Sequence, residues 1–237
     1  KDNLLKIVKY FWSIDKYYQD IIRSCVQEMM LGMKKFTSDN EKIFVSSSPM
    51  KKSLKSQGLY DEYCYYVAGT VGIMLTKICI YYYRSNLKLT KSLLHKVLGF
   101  SRVLQKVNII KDWKKDIQKG YCFLPAVFFK KMKGFEEVKI NLSAAIKDIT
   151  KDFSLAKKYL KSLPSEFIGF EKFCLMALLP AYETIFYLND IENKADNSRK
   201  ISKKKMLECF IVAQDIKKGR LLLEKLDRKL RSSYVTT

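Results

Sequence analysis

Apolar residues recur every three to four positions along most of this chain, which is the spacing of a helix with one buried face. Near the N-terminus the pattern runs through Leu4, Ile7, Val8 and Phe11. The predicted fold class is therefore all-α. Helices are predicted over residues 3–36, 60–83, 91–119, 141–162, 169–188 and 202–232.

Polar stretches separate the predicted helices. Residues 37–56 contain the run Ser46-Ser47-Ser48-Pro49 and predict a loop or a short flap. Residues 189–202 predict a charged connection before the last helix. We find no internal repeat, so we expect a single helical domain over residues 1–237.

The composition favours long helices and points to an anionic partner. Only 4 prolines and 9 glycines are present, and 48% of the residues are hydrophobic, which supplies a sizeable core. The net charge of +21 attracts nucleic acid, anionic membranes or phosphorylated small molecules. No RNA-recognition motif, zinc finger or basic zipper is present, so nucleic acid is disfavoured as a partner.

Cysteine and histidine usage narrows the chemistry further. The six cysteines form no Cys-x-x-Cys pair, which predicts reduced core thiols in a cytoplasmic protein. His95 is the only histidine, so a structural zinc site is disfavoured and a mechanism that needs two histidines is excluded. The apolar segment Val71–Tyr83 is interrupted by Lys77 and is too short to cross a bilayer.

Asn108, Asp112 and Asp116 are spaced four residues apart and are predicted to share one face of the helix over residues 91–119. Two carboxylates at this spacing suit Mg²⁺, which prefers oxygen ligands and keeps some positions for substrate phosphates. Spacing alone does not separate this pair from Asp148 and Asp152, because two aspartates four apart are common on solvated helices.

A second informative segment contains small residues within a predicted helix. Ala68, Gly69 and Gly72 leave a face with little side-chain bulk, although glycine inside a helix costs about 1 kcal/mol relative to alanine. Either close helix packing or room for a long apolar ligand compensates for that cost. The apolar stripe beside these residues is, taken alone, more typical of a core than of a ligand wall.

Together the two segments resemble the squalene/phytoene synthase family of head-to-head prenyl transferases. Tyr63–Leu75 is similar to the family's helix with a tyrosine followed by Val-Ala-Gly. Leu104–Pro125 is similar to its second aspartate-rich motif and the Gly-then-Phe-x-Pro tail. Weaker similarities lie at Met30–Phe36, at Phe173-Cys174, at Ala181 and at Thr184.

The resemblance implies an isoprenoid-synthase-type bundle around a deep apolar pocket, in which two prenyl diphosphates are joined with the help of Mg²⁺. NADPH is implied only if squalene is the product. Gln105-Lys106 resembles the squalene-type version of the motif, which favours farnesyl substrates.

The resemblance also implies roles for individual residues. Tyr63, Asp112 and Asp116 are the expected catalytic residues, and Asn108 joins the two aspartates as the expected metal ligands. The expected substrate-binding residues are Gln105, Lys111, Lys115, Val67, Ala68, Thr70, Val71, Leu75, Phe173 and Cys174.

The sequence departs from the family pattern at the second motif and lacks the first. The family's Arg-Asp-x-x-Glu-Asp reads Lys111-Asp112-Trp113-Lys114-Lys115-Asp116 here, so Lys115 replaces an acidic residue. Tyr121 stands where the family has an arginine after the glycine. The first aspartate-rich motif has no counterpart, since too few residues precede Met30 to contain it.

Three hypotheses follow. The first is a prenyl transferase whose N-terminal part lies elsewhere, with a second polypeptide as one source of the missing motif. The second is a family member that has lost catalysis and binds a prenyl diphosphate or lipid, or acts as an interaction subunit. The third, from charge alone, is a nucleic-acid binder. The basic, amphipathic last helix also suggests peripheral contact with an anionic membrane.

Overall fold

Helices dominate the computed structural model, which describes residues 2–37, 41–47, 50–130, 139–191 and 200–234. The predicted all-α class is confirmed. A π-helical turn, Tyr65–Gly69, joins two of the helices without a break. Within the described ranges the helices are α1 (Asp2–Ser13), α2 (Lys16–Lys35), α3 (Gln57–Cys64), α4 (Thr70–Tyr82), α5 (Lys91–Gln118), α6 (Leu142–Lys161), α7 (Ile168–Ile191), α8 (Lys203–Ala213) and α9 (Ile216–Tyr234).

Two of the predicted helices are each divided in two by an aspartate. The carboxylate of Asp15 accepts a hydrogen bond from the backbone N–H of Tyr17 at 2.7 Å, at the start of α2. Asp215 accepts from the backbone N–H of Lys218 at 3.1 Å, at the start of α9. Aspartate satisfies the free N–H groups of a helix N-terminus, so a new helix begins where periodicity predicts an uninterrupted one.

A small sheet replaces part of the loop predicted over residues 37–56. Strand β1 (Phe44–Ser47) pairs antiparallel with β2 (Met50–Leu54), and β2 pairs parallel with β3 (Cys122–Pro125). Part of the predicted loop or short flap is therefore strand in the structure. Positions 38–40 and 48–49 of the predicted flap, and 192–199 of the predicted connection, lie outside the described residues. A second, two-stranded sheet joins β4 (Phe129–Lys130) and β5 (Lys139–Ile140).

Helix α5 lies at the centre of the bundle and packs against α4, α6 and α7. Glycines allow two of these contacts to be unusually close. A Cβ on Gly99 would lie 2.3 Å from Cβ of Leu155 on α6, and a Cβ on Gly72 would lie 2.0 Å from Oγ of Ser101. Of the two explanations for the small-residue helix, the structure therefore supports close packing for Gly72.

The joined helix Gln57–Tyr82 is, among the described residues, long and apolar enough to cross a membrane. From the sequence, the apolar segment Val71–Tyr83 was predicted to be too short to cross a bilayer. In the structure the helix is longer, because α3, the π-helical turn and α4 are continuous. Length and composition alone also fit a core helix, and this helix packs against α2 and α5.

Replacing Gly99 with alanine is expected to destabilise the fold by about 1–3 kcal/mol, because the new methyl group meets a Cβ that the backbone of α6 fixes in place. Urea unfolding followed by circular dichroism measures the change. Gly58→Ala is the matched control, since its Cβ would meet only Oγ of Ser56 at 3.9 Å. That variant is expected to gain a few tenths up to about 1 kcal/mol from helix propensity, and equal effects at both sites would contradict the packing argument.

Candidate functional site

The predicted face of Asn108, Asp112 and Asp116 exists on the C-terminal half of α5. Lys111 lies among these residues. Its Nζ donates to Oδ1 of Asn108 at 2.8 Å and lies 3.5 Å from Oδ2 of Asp112. Nζ of Lys119 lies 3.7 Å from Oδ1 of Asp116. The face thus combines oxygen ligands for a cation with ammonium groups that suit phosphate.

Asp116 is the least solvated carboxylate of this face. Burial raises its pKa, and the charge of Asp112 raises the pKa further, while Lys119 acts in the opposite direction. Two carboxylates that disfavour each other's ionisation are relieved by a bound cation.

Tyr63 is held beside this face by a stack of aromatic rings. Its ring lies parallel to that of Phe123 on β3, with centroids 4.0 Å apart and planes at 8°. Phe36 contacts Tyr63 edge-on at 5.3 Å, and Tyr121 contacts Phe123 edge-on at 5.5 Å. Burial raises the pKa of Tyr63, as do the charges of Cys64, Asp116 and Tyr121, so the hydroxyl keeps its proton at neutral pH.

A cavity of about 470 Å³ lies between α5 and α7, next to the aspartate face. Asn108 and Lys111 line it from α5, and Ala181 and Thr184 line it from α7. The small and apolar side chains of α7 give the cavity an apolar wall, and Lys111 gives it a charged end. It has the dimensions of a small-molecule site.

The remaining predicted substrate-binding residues have varied environments. Val67, Ala68, Val71 and Leu75 are half-buried along the joined helix. The hydroxyl of Thr70 is buried and donates to the carbonyl oxygen of Tyr66 at 2.8 Å.

Phe173 and Cys174, two predicted substrate-binding residues that are neighbours on α7, have different surroundings. Phe173 is 51% exposed and stacks on Phe170 with centroids 6.2 Å apart. Cys174 is fully buried, and burial raises the pKa of its thiol. On α5, Gln105 is half-buried and Lys115 is exposed.

Sequence reasoning missed a buried cluster of charges next to this face. Lys106 has no exposed surface, and its Nζ lies 2.6 Å from Oδ1 of Asp61, 2.9 Å from Oδ2 of Asp148 and 3.0 Å from Oδ2 of Asp152. Arg102 adds a second cation, 2.8 Å from Oδ1 of Asp152. We refer to these five residues as the Lys106 cluster.

The sequence contained a signal for this cluster. Arg102 and Lys106 are four residues apart and flank the apolar residue Val103, so two cations occupy a core-facing stripe of α5. Asp148 and Asp152 have the same spacing on α6. Asp148 and Asp152, for which the sequence suggested no role, therefore form ion pairs with Arg102 and Lys106.

The donor set on α5 fits part of a magnesium site. Two carboxylates and an amide on one face suit a Mg²⁺ ion that takes its other ligands from water and substrate phosphate. Among the residues that the structure describes, no group of three His, Cys, Asp or Glu side chains could hold a metal ion. The face alone is therefore not a complete metal site among the described residues, and Asn108, Asp112 and Asp116 are the residues that would contribute to one.

Comparisons with known proteins agree with the fold and the motifs. A family model described as squalene/phytoene synthase matches residues 9–199. The solved complex of TcSQS with the ligand BPH1237 superimposes with a TM-score of 0.75 at 20% sequence identity, covering 94% of this chain and 64% of that chain. At this identity the superposition establishes the fold.

Curated relatives match over part of their length. Squalene synthase ERG9 of Candida albicans is 31% identical over 138 residues, which is 56% of this chain and 29% of that protein. Squalene synthase of Nicotiana benthamiana is 32% identical over 139 residues, covering 57% and 30%. Inactive squalene synthase 2 of Arabidopsis thaliana is 34% identical over 108 residues, covering 45% and 22%. The chain thus matches less than a third of the length of each of these proteins.

Lys106→Met removes the ammonium from the Lys106 cluster and leaves its carboxylates facing one another. We expect the free energy of unfolding to fall by about 3–5 kcal/mol, the range for a broken buried ion pair. Urea unfolding measures the loss. Lys91→Met, at an exposed position of the same helix, is the control and is expected to change stability by less than about 0.5 kcal/mol.

The same variant has an expected pH dependence. Burial by itself lowers the pKa of Lys106, but the charges of Asp152 and Asp148 outweigh it and the pKa lies above its ordinary value. Its contribution to stability is therefore constant below about pH 10 and is lost above that. The stability lost in Lys106→Met should therefore be the same from about pH 6 to about pH 9 and should become smaller above about pH 10. A loss that grows above about pH 10 would contradict this account.

Proposed function

Since the chain belongs to the squalene/phytoene synthase family, we propose that it binds a prenyl diphosphate at the Asn108–Asp112–Asp116 face. In this proposal the protein acts in the head-to-head condensation of two prenyl diphosphates, with farnesyl-type substrates and a squalene-like or phytoene-like product. The observation that carries it is the position of that face beside both Tyr63 and the cavity between α5 and α7. A diphosphate on the face would have its apolar chain at the cavity.

Charge at the face supports diphosphate binding. Lys111 already lies between Asn108 and Asp112, where its ammonium can contact phosphate oxygens as a point charge. A bound Mg²⁺ would neutralise the charge that develops on the diphosphate as it leaves. Asp112 and Asp116 would hold that ion, and Lys111 would orient the diphosphate beside it.

Tyr63 is proposed to act on the carbon end of the substrate. Its protonated hydroxyl can donate a hydrogen bond, and the stacking on Phe123 fixes the direction in which the ring points. An aromatic face also stabilises a nearby cation. These properties suit a residue that orients a carbocation and directs the loss of a proton from that carbocation.

The cavity between α5 and α7 supports a long apolar chain rather than a polar ligand. Val107 lines it from α5, and Ala177, Pro180 and Ala181 line it from α7, whereas its charged lining residues are Lys111 of α5 and Lys200. The cavity does not distinguish one prenyl length from another. A requirement for NADPH belongs to the proposal only for the case in which squalene is the product.

A second candidate function is binding without turnover. Lys115 places a positive charge where the family pattern is acidic, and the described residues contain no group of three His, Cys, Asp or Glu side chains that could hold a metal ion. One relative with a comparable identity is named an inactive squalene synthase. A family member of this type would bind a prenyl diphosphate or a lipid, or would serve as an interaction subunit that requires a second polypeptide.

Peripheral contact with a membrane is a separate proposal. Leu221 on α9 and Ile211 on α8 are exposed, at 69% and 63%. Exposed lysines lie beside them at Lys217, Lys218 and Lys225. Exposed apolar residues among cations favour adsorption to an anionic lipid surface.

The double variant Asp112→Ala/Asp116→Ala tests the first proposal by calorimetry with a non-hydrolysable farnesyl diphosphate analogue. We expect the native chain to bind the analogue in the presence of Mg²⁺. Removing the metal or both carboxylates should weaken binding by about tenfold or more, because charge-assisted contacts are lost. Assaying product formation by the same protein preparations with farnesyl diphosphate itself distinguishes an enzyme from a binding protein.

The control is Asp20→Ala/Glu208→Ala, which makes the same change in net charge at two exposed acidic residues outside the site. It should bind the analogue as the native chain does. Binding that Asp112→Ala/Asp116→Ala leaves unchanged would overturn the assignment of the face.

A further inference from the structure

A second cavity, of about 700 Å³, lies between α5, α6 and the end of α9. It shares no lining residue with the cavity between α5 and α7. We refer to it as the α6 groove. Its cationic lining residues are Arg102, Lys147, Lys151, Lys158 and Arg231.

The lining of the α6 groove is strongly positive. Its five permanent cations face two acidic residues, Asp61 and Asp152. Both of these carboxylates already contact the buried ammonium of Lys106, which is outside the lining, and Asp152 also pairs with Arg102. Nζ of Lys151 lies 4.0 Å from Oδ1 of Asp148, which leaves Lys147 and Lys158 as the groove lysines without an ion pair among the described residues.

The cations differ in how firmly they are held. Arg231 donates to Oδ2 of Asp227 at 3.0 Å and to Oγ of Ser154 at 3.0 Å, so its position is fixed. Lys147 and Lys158 are exposed, and within the described ranges neither has a carboxylate at ion-pair distance. The groove thus has anchored arginines and two lysines that are available to an incoming anion.

The spacing of the two lysines sets the size of the ligand. Lys147 and Lys158 lie eleven positions apart on α6, which corresponds to about 16 Å along the helix. His95 lines the same groove from α5, and Leu155 contributes an apolar patch between the lysines. An extended ligand with several negative charges can therefore contact both lysines along the groove.

We propose that the α6 groove binds an oligophosphate group, either as a free small molecule or as part of a phosphorylated lipid headgroup. Arginine and lysine side chains bind phosphate oxygens without a metal. Binding at this groove is therefore independent of Mg²⁺, unlike the binding proposed at the Asp112–Asp116 face. The two sites can succeed or fail separately.

Calorimetry with inorganic triphosphate in the presence of EDTA tests the proposal. We expect the native chain to bind, and Lys147→Ala/Lys158→Ala to weaken binding by about tenfold or more. The matched control is Lys203→Ala/Lys204→Ala, which removes two exposed lysines of α8 that do not line the groove. It makes the same change in net charge, so it measures general attraction to a chain of charge +21.

Three results would overturn the proposal. One is the absence of triphosphate binding by the native chain. Another is an equal loss in the two lysine variants, which would show non-specific attraction. A third is binding that requires Mg²⁺ and disappears in Asp112→Ala/Asp116→Ala, which would place the anion at the aspartate face.

A vesicle experiment distinguishes the two sources of the phosphate group. Vesicles that contain a phosphoinositide, but not vesicles of phosphatidylcholine, should sediment the native chain if a headgroup is the ligand. Free triphosphate should then release the chain, and Lys147→Ala/Lys158→Ala should not sediment. Binding of triphosphate without sedimentation assigns the groove to a soluble ligand. Sedimentation that triphosphate does not reverse would show that the groove is not the lipid contact.

Discussion

The buried ammonium of Lys106 is the interaction on which the arrangement of the other elements depends. It lies on α5 and contacts Asp61 of α3 and Asp148 and Asp152 of α6. A buried charge is costly unless its partners are in place, so the three helices are held in one relative position. Tyr63 follows Asp61 by two residues, and Asn108 follows Lys106 by two. The cluster therefore fixes the aromatic and acidic parts of the candidate site relative to each other.

Close backbone packing reinforces this arrangement. Gly72 and Gly99 bring α4 and α6 so near to α5 that side chains at these positions would overlap their neighbours. The π-helical turn Tyr65–Gly69 lies between the buried cluster and the glycine contact. Such turns often occur at functional sites, because they change the face that a helix presents. Here the turn separates Tyr63 from the tightly packed half of the same helix.

The positive charge of the chain is not spread evenly, because the carboxylates are concentrated. Several of the aspartates are used inside the bundle, where they neutralise Lys106 and Arg102, and two more form the face on α5. On α6, Lys151, Lys157 and Lys161 pair with carboxylates, whereas Lys147 and Lys158 have no ion pair among the described residues. This distribution of carboxylates therefore leaves two separate surfaces that are proposed to bind phosphate groups. They are the Asn108–Asp112–Asp116 face and the α6 groove.

The sequence by itself determined the helical class, the residues of the aspartate face and the family motifs, because these depend on local periodicity and on neighbours along one helix. It did not give the pairing of β2 with β3, since that contact joins segments far apart in the chain. It also did not show that new helices begin after Asp15 and Asp215, because periodicity continues across both positions.

Only the tertiary structure decided what the buried charges and small residues do. Asp148 and Asp152 were indistinguishable from a solvated pair until α5 placed Lys106 between them and Asp61. Likewise, Gly72 was compatible both with close helix packing and with room for an apolar ligand. The structure places Ser101 of α5 next to Gly72, which supports close packing. In both cases the partner comes from another helix, and the energy of a charge or a packed surface depends on that partner rather than on the residue alone.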